Sequence, residues 1–258
     1  MKGYALITGA SKGIGKSIAN LLAQQGYNVL LIARAENELE QLAVSIRSVY
    51  KVDARYLAID LSEAGATERV VNWFNALSVP LSILINNAGY GVFGRFDQNK
   101  LTEQMNMLNV NINAVVELTY KLLPVLKQQQ QAYILNLSST AAYQAMPGFA
   151  LYAASKTFIL NYSRALAFEL KDTPVSVTCL CPGPTDTNFA SRAGMDNLAE
   201  LAEKFNMQPD EVARIGLKAM FNKKAEVIPG FLNKMGATGA RHLNKSLIEG
   251  ISARLYKL

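Results

Sequence analysis

The sequence predicts an α/β protein with a doubly wound parallel sheet of seven strands flanked by helices, forming a single domain over residues 1–258. Two observations predict this fold. Short apolar runs alternate with segments whose apolar residues recur at helical spacing. The run 29–33 is apolar on both faces, as a parallel strand between two helix layers is. Because no Pro/Gly/Ser-rich linker, low-complexity tract or repeat divides the chain, we expect one core.

The predicted strands are bounded by turn residues and rich in Val, Ile and Leu. They lie at 4–7, 29–33, 55–59, 82–85, 133–137, 175–181 and 226–228. Helical spacing between them predicts helices at 36–49, 101–126 and 149–171, and another from 209. Since ligands bind at the carboxyl ends of the strands in such sheets, polar residues that follow strands are the candidates for a site.

A glycine-rich turn follows the first strand and leads into a helix. Its spacing, G-x-x-x-G-x-G, lets the backbone approach a pyrophosphate, and the helix N-terminus offers free N–H groups. We therefore expect this turn to bind a dinucleotide cofactor. The candidate cofactor-binding residues here are Thr8, Gly9, Ser11, Lys12, Gly13, Ile14 and Gly15.

Two cations favour NADP as the cofactor. Arg34 follows the second strand, where an NAD enzyme carries an acidic residue for the ribose 2′-hydroxyl. An arginine cannot accept that hydrogen bond, but it can bind a 2′-phosphate together with Lys12. The alternative is that both are surface charges, and the nearby Glu36 counts against the phosphate. Asp60 ends the third strand and either binds ligand or caps the next helix, a role for which Ser62 competes.

Tyr152 and Lys156 are the candidate chemical centre. Four positions apart on a predicted helix, they lie on one face, one turn apart. A neighbouring ammonium favours the phenolate, so the spacing predicts a lowered pKa for Tyr152. The alternative is a half-buried tyrosine beside a lysine that reaches solvent.

Six motifs along the chain can be read together. They are Thr8-Gly9-x-x-x-Gly13-x-Gly15, Asn86-Asn87-Ala88-Gly89, Asn111, Ser139, Tyr152-x-x-x-Lys156, and Pro182-Gly183 with Thr187. Together they resemble the short-chain dehydrogenases/reductases, over about 4–228, and most closely their NADP-preferring, hydroxysteroid-dehydrogenase-like bacterial branch. The resemblance implies a Rossmann fold and hydride transfer between NADP and a carbonyl or alcohol.

The resemblance implies four catalytic residues. Tyr152 is then the general acid or base, and Ser139 holds the substrate oxygen. Lys156 binds the nicotinamide ribose and acidifies Tyr152, and Asn111 supports a proton relay to Lys156. Ser138 is left to packing.

It also implies further cofactor contacts, from loops that follow strands. Asp60 would bind the adenine amino group, and the loop of Asn87, Ala88 and Gly89 the ribose region. Pro182, Gly183 and Thr187 would bind the nicotinamide side.

Apolar residues after the strands indicate a substrate with a hydrophobic body under a lid near 187–208. They are Tyr90, Phe93, Phe96, Tyr143, Met146, Phe149 and the segment 189–205. The same residues could instead belong to the core or to an interface. Two alternatives to a general carbonyl reductase stay open. One is a 3-oxoacyl-thioester reductase, and the other is a non-catalytic NADP-binding sensor, which would be expected to lack one of the catalytic residues.

Several classes of protein are disfavoured. A serine hydrolase is disfavoured because the only histidine, His242, would have to be its base and no Gly-x-Ser-x-Gly motif supplies a nucleophile. A metal site is disfavoured because no cluster of metal-ligating residues is present. No nucleic-acid-binding motif, secretory signal or transmembrane segment is found. We expect a cytoplasmic protein whose two cysteines, Cys179 and Cys181, are reduced and buried.

The net charge of +6 is concentrated at the C-terminal end. Residues 214–258 hold nine Lys/Arg and two Glu. Leucines and isoleucines four apart predict a basic amphipathic helix over 241–258. We expect it to dock on a neighbouring subunit or on the chain's own core, with a membrane surface as the alternative. By the resemblance, the long helices around Asn111 and Tyr152 pair subunits into a homo-oligomer, a dimer or a tetramer.

Overall fold

The seven predicted strands form one parallel sheet in the order β3-β2-β1-β4-β5-β6-β7. The computed structural model describes residues 2–186, 193 and 206–255. The strands are β1 Tyr4–Thr8, β2 Asn28–Ala33, β3 Ala54–Ala58, β4 Leu81–Asn86, β5 Ala132–Leu137, β6 Val175–Leu180 and β7 Glu226–Val227. The predicted fold class is confirmed. The strand order reverses between β1 and β4, which places a crevice at the carboxyl ends of these two strands.

Helices connect the strands and cover both faces of the sheet. They are α1 Gly13–Gln24, α2 Glu36–Tyr50, α3 Ala66–Leu77, α4 Leu101–Leu108, α5 Ala114–Lys127, α6 Ala150–Glu169, α7 Pro209–Phe221, α8 Phe231–His242 and α9 Lys245–Leu255. A π-helical turn, Asn109–Asn113, joins α4 to α5, and a 3-10 turn, Thr140–Tyr143, follows β5.

Two apolar cores lie on opposite faces of the sheet. On one face, β-strand residues pack against Ile18 of α1 and Leu217 of α7. On the other, they pack against Val70 of α3 and Leu118 of α5. Most of these side chains have no solvent exposure. This sandwich holds the strand ends rigidly, so the loops at the carboxyl edge can carry a site.

Two elements differ from the sequence prediction. The single helix predicted over 101–126 is divided into α4 and α5 by the π-helical turn that includes Asn111. In place of one amphipathic helix over 241–258, α8 continues to His242 and α9 covers Lys245–Leu255, while residues 256–258 lie outside the described part of the chain. The Asn244 Oδ1 accepts a hydrogen bond from the Ser246 N–H at 2.9 Å, which is the interaction of an N-cap.

Strand β6 ends beside two thiols. Cys179 and Cys181 are fully buried and unbridged, with 3.7 Å between their Sγ atoms. This agrees with the expectation of reduced, buried cysteines. Among the described helices, none combines the length and the apolar character that crossing a membrane requires.

Candidate active site

Tyr152 and Lys156 lie on α6 where it passes the end of β5. Both are buried, with 8% and 5% of their surfaces exposed. The Lys156 Nζ lies 5.7 Å from the centroid of the Tyr152 ring and donates a hydrogen bond to the Leu137 carbonyl at 3.0 Å. A phenol and an amine are therefore held together between helix and sheet.

Burial sets the protonation of this pair. It raises the pKa of Tyr152 to about 12, against a smaller opposing effect of the hydrogen bond with Ser139. It also lowers the pKa of Lys156 to about 8. The expectation of a lowered pKa for Tyr152 is wrong, because the loss of hydration on burial disfavours the phenolate. Tyr152 is thus a neutral phenol near neutral pH.

The two serines after β5 have different environments. Ser139 precedes the 3-10 turn, accepts a hydrogen bond from the Ala141 N–H at 3.1 Å and interacts with Tyr152. Ser138 is buried and donates its hydroxyl proton to the Lys156 carbonyl at 2.7 Å. Ser139 is therefore held beside the Tyr152 side chain, and Ser138 attaches β5 to α6.

Asn111 is buried in the π-helical turn and faces the loop after β4. Its Oδ1 accepts from the Tyr90 N–H at 3.1 Å, and its Nδ2 donates to the Tyr90 carbonyl at 3.0 Å and to the Ser155 Oγ at 3.1 Å. A Cβ added to Gly89 would lie 3.1 Å from both the Asn111 Oδ1 and the Lys156 Nζ. The glycine thus lets these two polar groups approach the same loop. π-helical turns often occur at functional sites.

The glycine turn has the shape that a pyrophosphate site needs. Gly9 and Gly13 have φ angles of +66° and +51°. A Cβ on Gly15 would lie 2.3 Å from the Gly9 carbonyl oxygen and 2.4 Å from the Asn87 Nδ2. Lys12 is the N-cap residue of α1, and its side chain makes no hydrogen bond to the N–H groups of the first turn. The free N–H groups and the positive end of the helix dipole suit a bound anion.

Thr8 and Asn87 brace the loops on either side of the crevice. The Thr8 Oγ1 accepts from the Asn87 and Ala88 N–H groups, both at 3.0 Å. The Asn87 Nδ2 donates to the carbonyls of Thr8 at 2.8 Å and Gly9 at 3.1 Å. The amide of Asn87 is thus engaged with protein, and its predicted contact with a ribose stays a prediction.

Both predicted phosphate-binding cations form surface ion pairs. The Lys12 Nζ lies 2.8 Å from the Glu38 Oε1, and the Arg34 Nη1 lies 3.5 Å from the Asp60 Oδ2. Burial tends to raise the pKa of Asp60, but two hydrogen bonds from Ser62 and the charge of Arg34 outweigh it and lower that pKa.

Neither Asp60 nor Ser62 caps the next helix, since Gly65 is the N-cap residue of α3. Because exposed ion pairs are weak, an incoming phosphate can compete for both cations.

The loop after β6 carries Pro182 and Gly183. The Pro182 carbonyl accepts a hydrogen bond from the Thr140 N–H at 2.9 Å. A Cβ on Gly183 would lie 2.3 Å from the Oδ1 of Asn233, on α8. Sequence reasoning missed Asn233, which has no motif around it. Thr187 and the segment 189–205 lie outside the described residues, apart from Ala193, as does most of the predicted lid over 187–208.

Apolar side chains surround Tyr152. Phe149 lies 5.5 Å from the Tyr152 ring and 5.1 Å from the Phe93 ring, measured between centroids. Tyr90 and Met146 pack against the same cluster. Of the other predicted pocket residues, Phe96 is 61% exposed. Tyr143 instead belongs to the core beside the cysteines.

Glu226 connects three elements around the site. One of its carboxylate oxygens accepts from the Tyr143 hydroxyl at 2.7 Å and from Arg241 of α8 at 3.0 Å. The other accepts from Arg164 of α6 at 2.6 Å. The turn after Ser139, the helix of Tyr152 and α8 are thus attached to the start of β7. No sequence motif indicated this cluster, since its members are far apart along the chain.

The geometry agrees with comparisons to known proteins. The profile of the family described as short chain dehydrogenase matches residues 3–198. The very-long-chain 3-oxoacyl-CoA reductase of Kluyveromyces lactis is 35% identical over 181 residues, which are 67% of this chain and 52% of that one, so the chain spans about half of that relative's length.

Two solved structures are also similar. A 7beta-hydroxysteroid dehydrogenase has a TM-score of 0.87 at 25% identity, with 97% of this chain and 96% of that chain covered. A short-chain dehydrogenase from Sphingobium yanoikuyae in complex with NADPH has a TM-score of 0.82 at 27% identity, with coverages of 98% and 93%.

Proposed function

Since this chain belongs to the short chain dehydrogenase family, we propose that it is an oxidoreductase that uses NADP(H) to interconvert a carbonyl and an alcohol on a substrate with a hydrophobic body. One observation carries the proposal: Tyr152 is buried as a neutral phenol, beside Ser139 and one helical turn from Lys156. This is the arrangement that protonation of a carbonyl oxygen needs.

The residues divide the work of reduction. A bound nicotinamide dinucleotide supplies the hydride. Tyr152 gives its phenolic proton to the carbonyl oxygen, and Ser139 donates a hydrogen bond to the same oxygen. Lys156 binds the nicotinamide ribose, and its charge stabilises the phenolate left on Tyr152. Asn111 holds the loop after β4 next to Lys156. It supports the relay that returns a proton through Lys156 to Tyr152. In oxidation Tyr152 acts as the base.

The preference for NADP rests on Arg34 and Lys12. Both lie at the carboxyl edge of the sheet with more than half of their side-chain surface exposed, and each is balanced by one carboxylate. A 2′-phosphate would replace these weak contacts with charge-assisted hydrogen bonds. The Sphingobium yanoikuyae relative was solved with NADPH. We expect Arg34→Ala to raise the KM for NADPH by about tenfold and to leave that for NADH unchanged.

A second candidate is reduction of 3-oxoacyl thioesters. The Kluyveromyces lactis relative carries that activity in its name. The net positive charge of residues 214–258 suits the anionic carrier of such a substrate. A high rate on 3-oxoacyl thioesters and a low rate on free ketones would favour this candidate.

The test is NADPH oxidation, followed by absorbance, with aliphatic, aromatic and steroid ketones, aldehydes and 3-oxoacyl thioesters. Tyr152→Phe should abolish turnover while NADPH still binds. Tyr162→Phe, on the same helix outside the site, is the matched control and should keep the wild-type rate. Tight NADPH binding without turnover on any substrate would favour a sensor, and equal rates with NADH would contradict the use of Arg34 and Lys12.

We also propose a homo-oligomer, a dimer or a tetramer. Large apolar side chains are exposed along α4, α5 and α6, namely Leu101, Met105, Tyr120, Phe158 and Phe168. A second copy would cover them. Light scattering coupled to size-exclusion chromatography should give a mass above that of one chain, and Tyr120→Glu should reduce it.

The free thiols of Cys179 and Cys181 support a cytoplasmic location.

A further inference from the structure

Helix α8 has a packed face and an exposed apolar face. On the packed face, Ala237 is 4% exposed and lies against the core of Tyr143 and the cysteines, and Asn233 contacts Gly183. On the other face, large apolar side chains meet solvent. They are Phe231 at 76% exposure, Leu232 at 68% and Met235 at 56%, followed by Leu243 at 56%, and we call these four residues the α8 patch.

The spacing makes the α8 patch continuous. Phe231 and Met235 are one turn apart and Leu232 lies beside them, so the three side chains share one surface. The Leu243 Cδ1 would lie 3.8 Å from a Cβ at Gly239, which places this leucine over the last turn of the same helix. Burying one such side chain strengthens association by about tenfold or more, so an occupant of the patch would gain considerable affinity.

The positive charge around the α8 patch indicates what binds there. Lys234 is exposed beside the α8 patch, and Lys245 is exposed at the start of α9. Residues 231–258 hold five Lys/Arg and one Glu. A second copy of this chain would bring the same positive charge to the contact, which disfavours self-association here. An anionic lipid surface offers negative headgroups for the lysines and acyl chains for Phe, Leu and Met.

We propose that the α8 patch binds the protein to the surface of a membrane that contains anionic lipids. The helix would lie in the plane of the headgroups, with Phe231, Leu232 and Met235 among the acyl chains. Its opposite face holds Asn233 against Gly183, in the loop beside the active site. A hydrophobic carbonyl compound dissolved in the bilayer would therefore enter close to Tyr152. This last point rests on the proposed function, whereas membrane binding does not.

The test uses the full chain and sedimentation with vesicles of phosphatidylcholine alone or mixed with phosphatidylglycerol. Binding is expected to the mixed vesicles, and it should fall as salt is added because the lysines are screened. The combined variant Phe231→Ser/Leu232→Ser/Met235→Ser should lower the affinity by more than about tenfold. Lys234→Gln should lower it by about fivefold.

Val44→Ser/Val49→Ser is the matched control, because both valines are exposed on α2, at the other end of the sheet. It should bind vesicles like the wild type. NADPH binding and the unfolding temperature of each variant report that the fold is kept, independently of any substrate. Absence of binding to the mixed vesicles at low salt would overturn the proposal. The proposal would also be overturned if the triple variant bound the mixed vesicles as tightly as the wild type, or if its only effect were a change in the size of the oligomer.

Discussion

Raising the pH should weaken NADPH binding, because Lys156 loses its proton within the accessible range. Burial lowers the pKa of this lysine to about 8 from its ordinary value of 10.5. A cofactor ribose that accepts hydrogen bonds from the ammonium favours the charged form and raises the pKa in the complex. Affinity is therefore constant below pH 8 with respect to this group, and it falls by about tenfold for each further pH unit until the pKa of the complex is reached.

Fluorescence titration of NADPH at intervals between about pH 7 and pH 10 measures this effect. Lys156→Met should bind NADPH more weakly at neutral pH and lose the dependence above pH 8. Lys127→Met, at an exposed position of α5, should behave as the wild type does. Circular dichroism at each pH reports that the protein stays folded. Wild-type affinity that is constant over the range, or that falls equally in Lys156→Met, would refute the reasoning.

Three further substitutions test the scaffold. Gly15→Ala places a methyl group 2.3 Å from a carbonyl oxygen and should abolish NADPH binding, whereas Gly236→Ala, with open space around its Cβ on α8, should raise the free energy of unfolding by up to about 1 kcal/mol. Equal binding by both variants would contradict the role of the turn. Glu226→Gln should cost about 2 kcal/mol and lower Tm by roughly 6 °C, while Glu63→Gln, which disturbs an exposed ion pair, should change little. The lowered pKa of the Glu226 carboxyl means that its contribution is present above its ordinary pKa near 4.5 and is lost as the pH falls further, so thermal melts of wild type and variant should converge in acid. Asn111→Ala removes the amide that holds the loop near Lys156 and should lower kcat by about a hundredfold; an unchanged kcat would argue against its place in the site.

Much of the fold could be predicted because local sequence determines it. The run 29–33 is apolar throughout and the run 175–181 alternates Val, Cys and Leu with Ser176 and Thr178, and they became the buried strands β2 and β6 within a residue or so at each end. The helix from Pro209 begins where proline is favoured, at the first helical position. The same locality explains Tyr152 and Lys156, whose shared face follows from helical spacing alone.

Other features depend on contacts between distant segments and had no local signal. The raised pKa of Tyr152 depends on how much of the fold closes around it. The Arg34 and Asp60 pair joins the ends of two strands, and Glu226 gathers side chains from three elements. The π-helical turn was indicated only by polar amides inside an apolar helix. The break before α9 had a usable sign, because Asn244 is a favourable N-cap residue.

The contact between Asn233 and Gly183 limits where this chain can be joined to a relative in a chimera. The family profile ends at residue 198, yet α8 supports the loop at the end of β6 from well beyond that point. A chimera joined after residue 198 would therefore replace the helix that supports the loop after β6 along with the tail. Grafting the C-terminal helices of a relative onto this chain would change the support of that loop without substituting Tyr152.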